Sequence, residues 1–377
     1  MLWQFVYYLN IALEIVCRLF SSTNVCHPLY STLSHPLFQQ RQRSRLFDST
    51  LRSKSLVAYS IGLSLSFSKH DNSGKPLVVE VVDHPLHSAP LISGICQPFE
   101  YLDFCERIEE LYIASNVVDI VVYSSKTISL FAHYMPSLSG LHYHVLPPPW
   151  RCNINTNSLT QYSRGFNRDL KFLAICSSFT AKAAILLIDA WEQFLDLLPD
   201  QSIDPQLTLV CHDVPSNVRS SLPSSIVLID KIPLTVSLKD YLFSHCHVYI
   251  ACSVMDGIGP LEALSYGKPI ISFDTINASQ YVCSSNGYLL EIPFEYYDPF
   301  HYGTTWKLDA DFLSLVTSLA SRQLISNRLS DAMLQYVINP SLVDTHSSAS
   351  RNHYYSRFTL DYFSQRLTSI LSCYSTN

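Results

Sequence analysis

The residues best suited to chemistry fall in ACSVMDGIGPLEALSYGKPIISFD, positions 251–274. Asp256-Gly257 is a turn dipeptide, Gly259 lets the backbone pass close to another group, and Pro260 suits the opening of a helix. Gly267 suits a left-handed cap before the next strand. The segment therefore predicts strand, turn, short helix and strand, with the helix N-terminus at the carboxyl end of a parallel strand. Such an end presents unpaired N–H groups and a positive dipole, which favour a phosphate or an array of sugar hydroxyls. Glu262, in the first helical turn, could accept a hydrogen bond from a ligand hydroxyl. The plainer reading of the same residues is an ordinary turn followed by an acid that complements the helix dipole.

Glycine is scarce elsewhere. The chain has 10 in 377 residues, well under half of the roughly 7% average, and four of them (Gly257, Gly259, Gly267, Gly287) lie between positions 257 and 287. The demand for unusual backbone geometry is concentrated there. With 47% hydrophobic and 15% charged residues the chain has ample core material, and its length allows two to three compact units. A formal charge of −6 provides no field to attract a polyanion, which disfavours nucleic acid as a partner. The 11 cysteines are odd in number and form no CxxC pair, so neither a disulfide scaffold nor a zinc ribbon fits; a reducing, cytoplasmic location follows. The histidines include no HExxH, and His142 with His144, or His84 with His87, make weak metal sets; no metal is expected.

From Lys171 onward, apolar runs alternate with helical stretches: KFLAIC (171–176), QLTLVC (206–211), SIVLID (225–230), VYIAC (248–252) and PIISF (269–273). Alternation of this kind predicts a parallel sheet with helices on both faces. After the first run, Leu187, Ala190, Trp191, Phe194, Leu197 and Leu198 recur at helical spacing until Pro199. The first half repeats the theme with strands at 55–60, 77–82 and 119–123 and a helix over 101–115 whose Leu102, Cys105, Ile108 and Tyr112 share one face. Three prolines in LPPPW (146–150) make a stiff connector and a domain boundary. The polar residues Gln4, Asn10, Glu14 and Arg18 share one side of a helical wheel, so residues 1–20 predict an amphipathic helix packed on a domain, with peripheral membrane contact as the alternative. The basic stretch 39–55 is a solvated loop or a contact with an anionic surface, and 356–374 predicts a terminal helix.

The string DGIGPLEALSYGKPII with its preceding strand resembles the signature of the retaining glycosyltransferases of the glycogen-synthase-like, group 1 type, glycosyltransferase family 4. TAKAAILLIDAW resembles that family's lysine-bearing segment, LTLVC through VYIAC its donor-domain strands, and YHVLPPPW its crossing between domains. The resemblance covers about residues 75 to 290. It implies a GT-B fold, in which two Rossmann-like α/β domains face each other across a cleft. The acceptor-side domain would be 1–150 and the nucleotide-sugar domain 151–340, with 341–377 a C-terminal helix returning to the first domain. The activity implied is transfer of a hexosyl group from a nucleotide-diphosphate sugar to a carbohydrate or lipid-linked acceptor, without metal or other cofactor. By the same resemblance Lys182 pairs with the donor diphosphate, and Gly257, Ile258 and Gly259 form the turn under the transferred sugar. Asp256 is the first of two acids, Glu262 the second, near the nucleotide ribose, and His84 the acceptor-domain histidine.

The sequence departs from the family pattern at several of these places. Five residues, not seven, separate Asp256 from Glu262; Ser177 stands where an arginine is expected, Ala183 follows the lysine in place of glycine, and Cys211 replaces a strand-end glycine. No strand and glycine-rich turn precede the first helix. A diphosphate held without a bidentate guanidinium loses a strong charge-assisted contact. A second reading therefore stands beside the enzyme: a degenerate, catalytically inactive GT-B-fold binding or scaffold protein.

Overall fold

The computed structural model describes residues 58–61, 77–81, 105–106, 108–110, 112–114, 116–150, 169–176, 179, 182–200, 202–230, 234–251, 258–292 and 318–374. The helix expected over 1–20, the basic stretch 39–55, and Asp256, Gly257 and His84 lie outside the described residues. The chain divides into two compact units, 1–146 with 365–377, and 147–364.

In the first unit, β1 (Ala58–Ile61), β2 (Leu77–Val81), β3 (Val117–Val122) and β4 (His142–Val145) form a parallel sheet in that order. Helix α1 (Ser125–Tyr134) is capped by Ser124, whose hydroxyl accepts from the Lys126 N–H. The described residues among 105–114 are helical and bury Cys105, Ile108 and Tyr112, as their spacing predicts. Strand β4 was not expected: its HYHV sequence pairs with β3 through backbone contacts over 20 residues away, and its two histidines carry no strand signal. Their imidazoles face the buried carboxylate of Asp119 on β3, His144 Nε2 at 2.9 Å and His142 Nδ1 at 3.5 Å.

The second unit holds β5 (Lys171–Cys176), α2 (Ala184–Asp196), β6 (Gln206–Cys211), α3 (Ser216–Ser221), β7 (Ile226–Ile229), α4 (Val236–His245), β8 (Val248–Ala251), α5 (Gly259–Ser265), β9 (Ile270–Phe273), α6 (Ala278–Tyr281) and β10 (Gly287–Leu290). Helices α7 (Leu319–Ile338) and α8 (Ser341–Arg357) follow, and α9 (Leu360–Ser372) begins in this unit and runs from Gln365 onward in the first. All six strands are parallel, in the order β7-β6-β5-β8-β9-β10. Numbered within the unit this is 3-2-1-4-5-6, the doubly wound order of dinucleotide-binding folds.

Both faces of this sheet are covered, which is why its strands read as continuous apolar runs rather than alternating ones. Phe172 and Ala174 of β5 face α2 and α7, where Trp191, Phe194, Leu329 and Met333 close one core. Leu173 points the other way, toward Phe243 of α4 and Leu261 and Leu264 of α5. Helix α7 is fastened to α2 by a bidentate pair between the Arg322 guanidinium and Asp189, and by the Ser326 hydroxyl donating to the Leu186 carbonyl. The terminal helix expected over 356–374 is two helices. Helix α8 ends at Arg357, and Thr359 starts α9 by accepting from Tyr362 N–H on its hydroxyl.

Candidate functional site

In a doubly wound sheet, ligands bind outside the carboxyl ends of the strands where the winding direction reverses. Here the reversal lies between β5 and β8, which pair directly through Phe172 with Val248, Leu173 with Tyr249 and Ala174 with Ile250. The segment that leaves β5 carries Lys182, and the segment that leaves β8 carries Asp256 through Gly259. Topology thus brings the two candidate segments, some seventy residues apart in sequence, to neighbouring strand ends.

Lys182 is half-buried in the turn that leads into α2. The next residue, Ala183, takes a left-handed backbone conformation (φ 50°) and is buried. A side chain there costs roughly 1–2 kcal/mol, so Ala183 holds a backbone conformation that favours glycine. The turn is tied to the next strand by the Phe179 N–H, which donates to the His212 carbonyl at 3.1 Å. On that edge, at the carboxyl ends of β6 and β7, Arg219 and His212 converge on Asp230. Hydrogen bonds from Arg219 first, then His212, hold the Asp230 carboxyl below the usual carboxylate range. The Cys176 and Cys211 side chains lie opposite each other in the β5–β6 register and are buried; hydrogen bonding between them and burial push the Cys211 thiol strongly up.

Ile258 precedes α5 with φ −82° and ψ −11°, and Gly259 is its first residue. The Glu262 N–H donates to the Ile258 carbonyl at 2.9 Å, which closes the first helical turn. The group that Gly259 passes close to belongs to the chain itself: a Cβ there would lie 2.0 Å from the phenolic oxygen of Tyr249, a 2% exposed residue of β8. The glycine is thus explained by packing of α5 against its own sheet. We expect Gly259→Ala to lower the unfolding free energy by about 1–3 kcal/mol, the range for overpacking a filled core, with the urea midpoint shifted at unchanged slope.

At the other end of α5, Gly267 has φ 62°, its N–H donates to the Leu264 carbonyl, and the Lys268 N–H reaches back to the Ala263 carbonyl at 3.0 Å. This is the left-handed cap that the sequence predicts. Arg351 of α8 lies over it, where a Cβ would meet its Cγ at 2.5 Å.

Glu262 is 6% exposed, and its carboxylate is ion-paired with the ammonium of Lys239 on α4. Burial pushes the Glu262 carboxyl above its ordinary range, and the Lys239 charge pulls it back. Neither Lys239 nor the Asp230 group was legible as part of a site, because each is made by side chains from separate elements. Among the described residues no group of three or more His, Cys, Asp or Glu side chains is arranged to hold a metal ion, and no helix is long and apolar enough to cross a membrane.

No protein-family model matches the chain, and no curated protein does. Solved structures do. The chain is similar to sucrose-phosphate synthase from Thermosynechococcus elongatus at 13% identity, over 93% of this chain and 82% of that one, with a TM-score of 0.56. It is similar to Anabaena HepE in complex with UDP-glucose at 14% identity, over 96% and 89%, with a TM-score of 0.56. A third, TarM of S. aureus, is 13% identical over 87% of this chain, with a TM-score of 0.52, and this chain spans 57% of TarM's length. The likeness is one of fold: two parallel α/β units of the GT-B glycosyltransferase type.

Proposed function

We propose that this protein is a retaining glycosyltransferase that moves a hexosyl group from a nucleotide-diphosphate sugar to a carbohydrate or lipid-linked acceptor. The observation that carries the reading is the reversal of strand order between β5 and β8, with Lys182 on the segment leaving one strand and Asp256 to Glu262 on the segment leaving the other. In this reading the Lys182 ammonium neutralises the leaving diphosphate, and the Gly257 to Gly259 backbone lies under the transferred sugar. Glu262 accepts hydrogen bonds from the ribose, Asp256 faces the sugar, and His84 serves the acceptor. No metal is required, because the charge that develops on the diphosphate meets an ammonium and backbone N–H groups.

A binding or scaffold role is the second reading. Ser177 in place of a guanidinium favours it, since the diphosphate then lacks a bidentate charge-assisted contact beside Lys182. Titration of nucleoside diphosphates and nucleotide sugars by calorimetry tests the first reading. Uridine donors come first because Anabaena HepE was solved with UDP-glucose. We expect saturable binding that Lys182→Ala weakens about tenfold or more, the loss of a charge-assisted contact. NMR of the product should show the anomeric configuration of the donor kept. Absence of saturable binding at millimolar nucleotide would overturn the proposal, and binding without turnover would favour the scaffold.

A further inference from the structure

Helix α5 is gripped from one side by α4. Lys239 reaches the Glu262 carboxylate in the first turn of α5, at 2.5 Å. One residue on, Asp240 accepts the phenolic hydrogen of Tyr266, which ends the same helix. Phe243, one turn beyond Lys239 and on the same face of α4, stacks on the Tyr266 ring at 4.7 Å with the planes 13° apart. Three contacts from one helix thus hold both ends of a helix seven residues long.

The Lys239–Glu262 contact differs from the other two in its chemistry. The Glu262 side chain is 8% exposed and the Lys239 side chain 30% exposed, so the acid is the buried partner and the base the one open to water. A carboxylate this buried would be driven toward its neutral form, which both donates and accepts and has no fixed polarity toward a ligand hydroxyl. The ammonium contacts one carboxylate oxygen, Oε1, and a carboxylate has a second oxygen with acceptor capacity of its own.

We infer that Lys239 is a positioning residue: it holds Glu262 as an oriented carboxylate that accepts from a vicinal hydroxyl of the bound nucleotide's ribose. This rests on the function proposed above and adds to it a residue on a different helix, joined to α5 by no sequence motif. Lys239 itself needs no contact with the nucleotide.

The test compares a ribonucleoside diphosphate with its 2′-deoxy and 3′-deoxy analogues, using uridine compounds, on the full chain. The wild-type protein should prefer UDP over at least one deoxy analogue by about tenfold, the value of a hydrogen bond to a charged acceptor. Lys239→Met should remove that preference by weakening UDP binding while leaving binding of the disfavoured deoxy analogue unchanged, and Lys239→Arg should restore it. A purely structural role would weaken all ligands alike, and that result would overturn the inference, as would unchanged discrimination in the Met variant. If Lys239→Met fails to fold, Glu262→Gln must lose the same discrimination, and retention there overturns the inference equally. Wild-type protein that binds UDP without discriminating the deoxy analogues refutes this role, and with it the Glu262–ribose contact, while leaving nucleotide-sugar transfer standing; wild-type protein that binds no nucleotide refutes the proposed function.

Discussion

Acidification from pH 6.5 to pH 4 should cost the wild-type protein roughly 3 kcal/mol more unfolding free energy than it costs His247→Asn. His247 lies between α4 and β8, where its ring Nδ1 accepts the Lys171 backbone N–H at 2.9 Å while the His247 backbone N–H donates to the Lys171 carbonyl at 2.7 Å. The ring must therefore be neutral at Nδ1. Burial first, then the charges of Lys268 and Lys171, lower its pKa from 6.5 to about 4. The folded state thus binds this proton more weakly than the unfolded chain, so stability is fully present above 6.5 and is lost as pH falls through the folded pKa. The interval multiplied by about 1.4 kcal/mol per pH unit gives an upper limit of about 3.5 kcal/mol, and half-titration at the two ends brings this to roughly 3. Asparagine keeps an acceptor near Nδ1 but does not titrate. Urea unfolding of both proteins across this range checks the difference, and parallel curves would refute it.

Trp191→Ala should remove about 3–5 kcal/mol, the usual cost of deleting a fully buried large aromatic. The indole is 0% exposed, packs edge-on to Phe172 at 5.6 Å and against Phe194 at 5.1 Å, and donates from Nε1 to the Ser225 hydroxyl at 2.9 Å. It joins α2, β5 and the start of β7, so the loss is felt on both sides of the turn that carries Lys182. Equilibrium denaturation measures it. A loss under 1 kcal/mol would mean that the site collapses onto the vacated volume more completely than close-packed interiors generally do.

Much of the second unit was legible from sequence because a strand covered on both faces must be apolar throughout. KFLAIC, QLTLVC and VYIAC could hardly be anything else once short helical stretches separate them. Gly267 was legible for a local reason, since a left-handed cap needs a residue without a Cβ. Strand order was not, because pairing of β5 with β8 joins residues more than seventy apart and leaves no mark on either run. Strand β4 was missed because HYHV lacks apolar alternation, and β10 because GYLL is too short to show a period. The neighbour of Gly259 could be foreseen only as some close group; that it is Tyr249 is a matter of tertiary packing. Lys239 illustrates the same limit. A lysine in an amphipathic helix reads as solvated, and only the approach of α5 turns it into the counterion of a buried acid.

The backbone N–H of Trp150 donates to the Phe358 carbonyl at 2.7 Å, and the Tyr354 hydroxyl donates to the Trp150 carbonyl at the same distance. The second unit is entered at Pro147 and left after Ser364, so its two ends are stitched together close to the entry and about one to three helical turns before the exit. A gene fragment spanning 147–364 would therefore encode a nearly closed loop of chain, and rejoining its ends through a short spacer while opening a surface turn elsewhere would give a rearranged reading order with the same sheet.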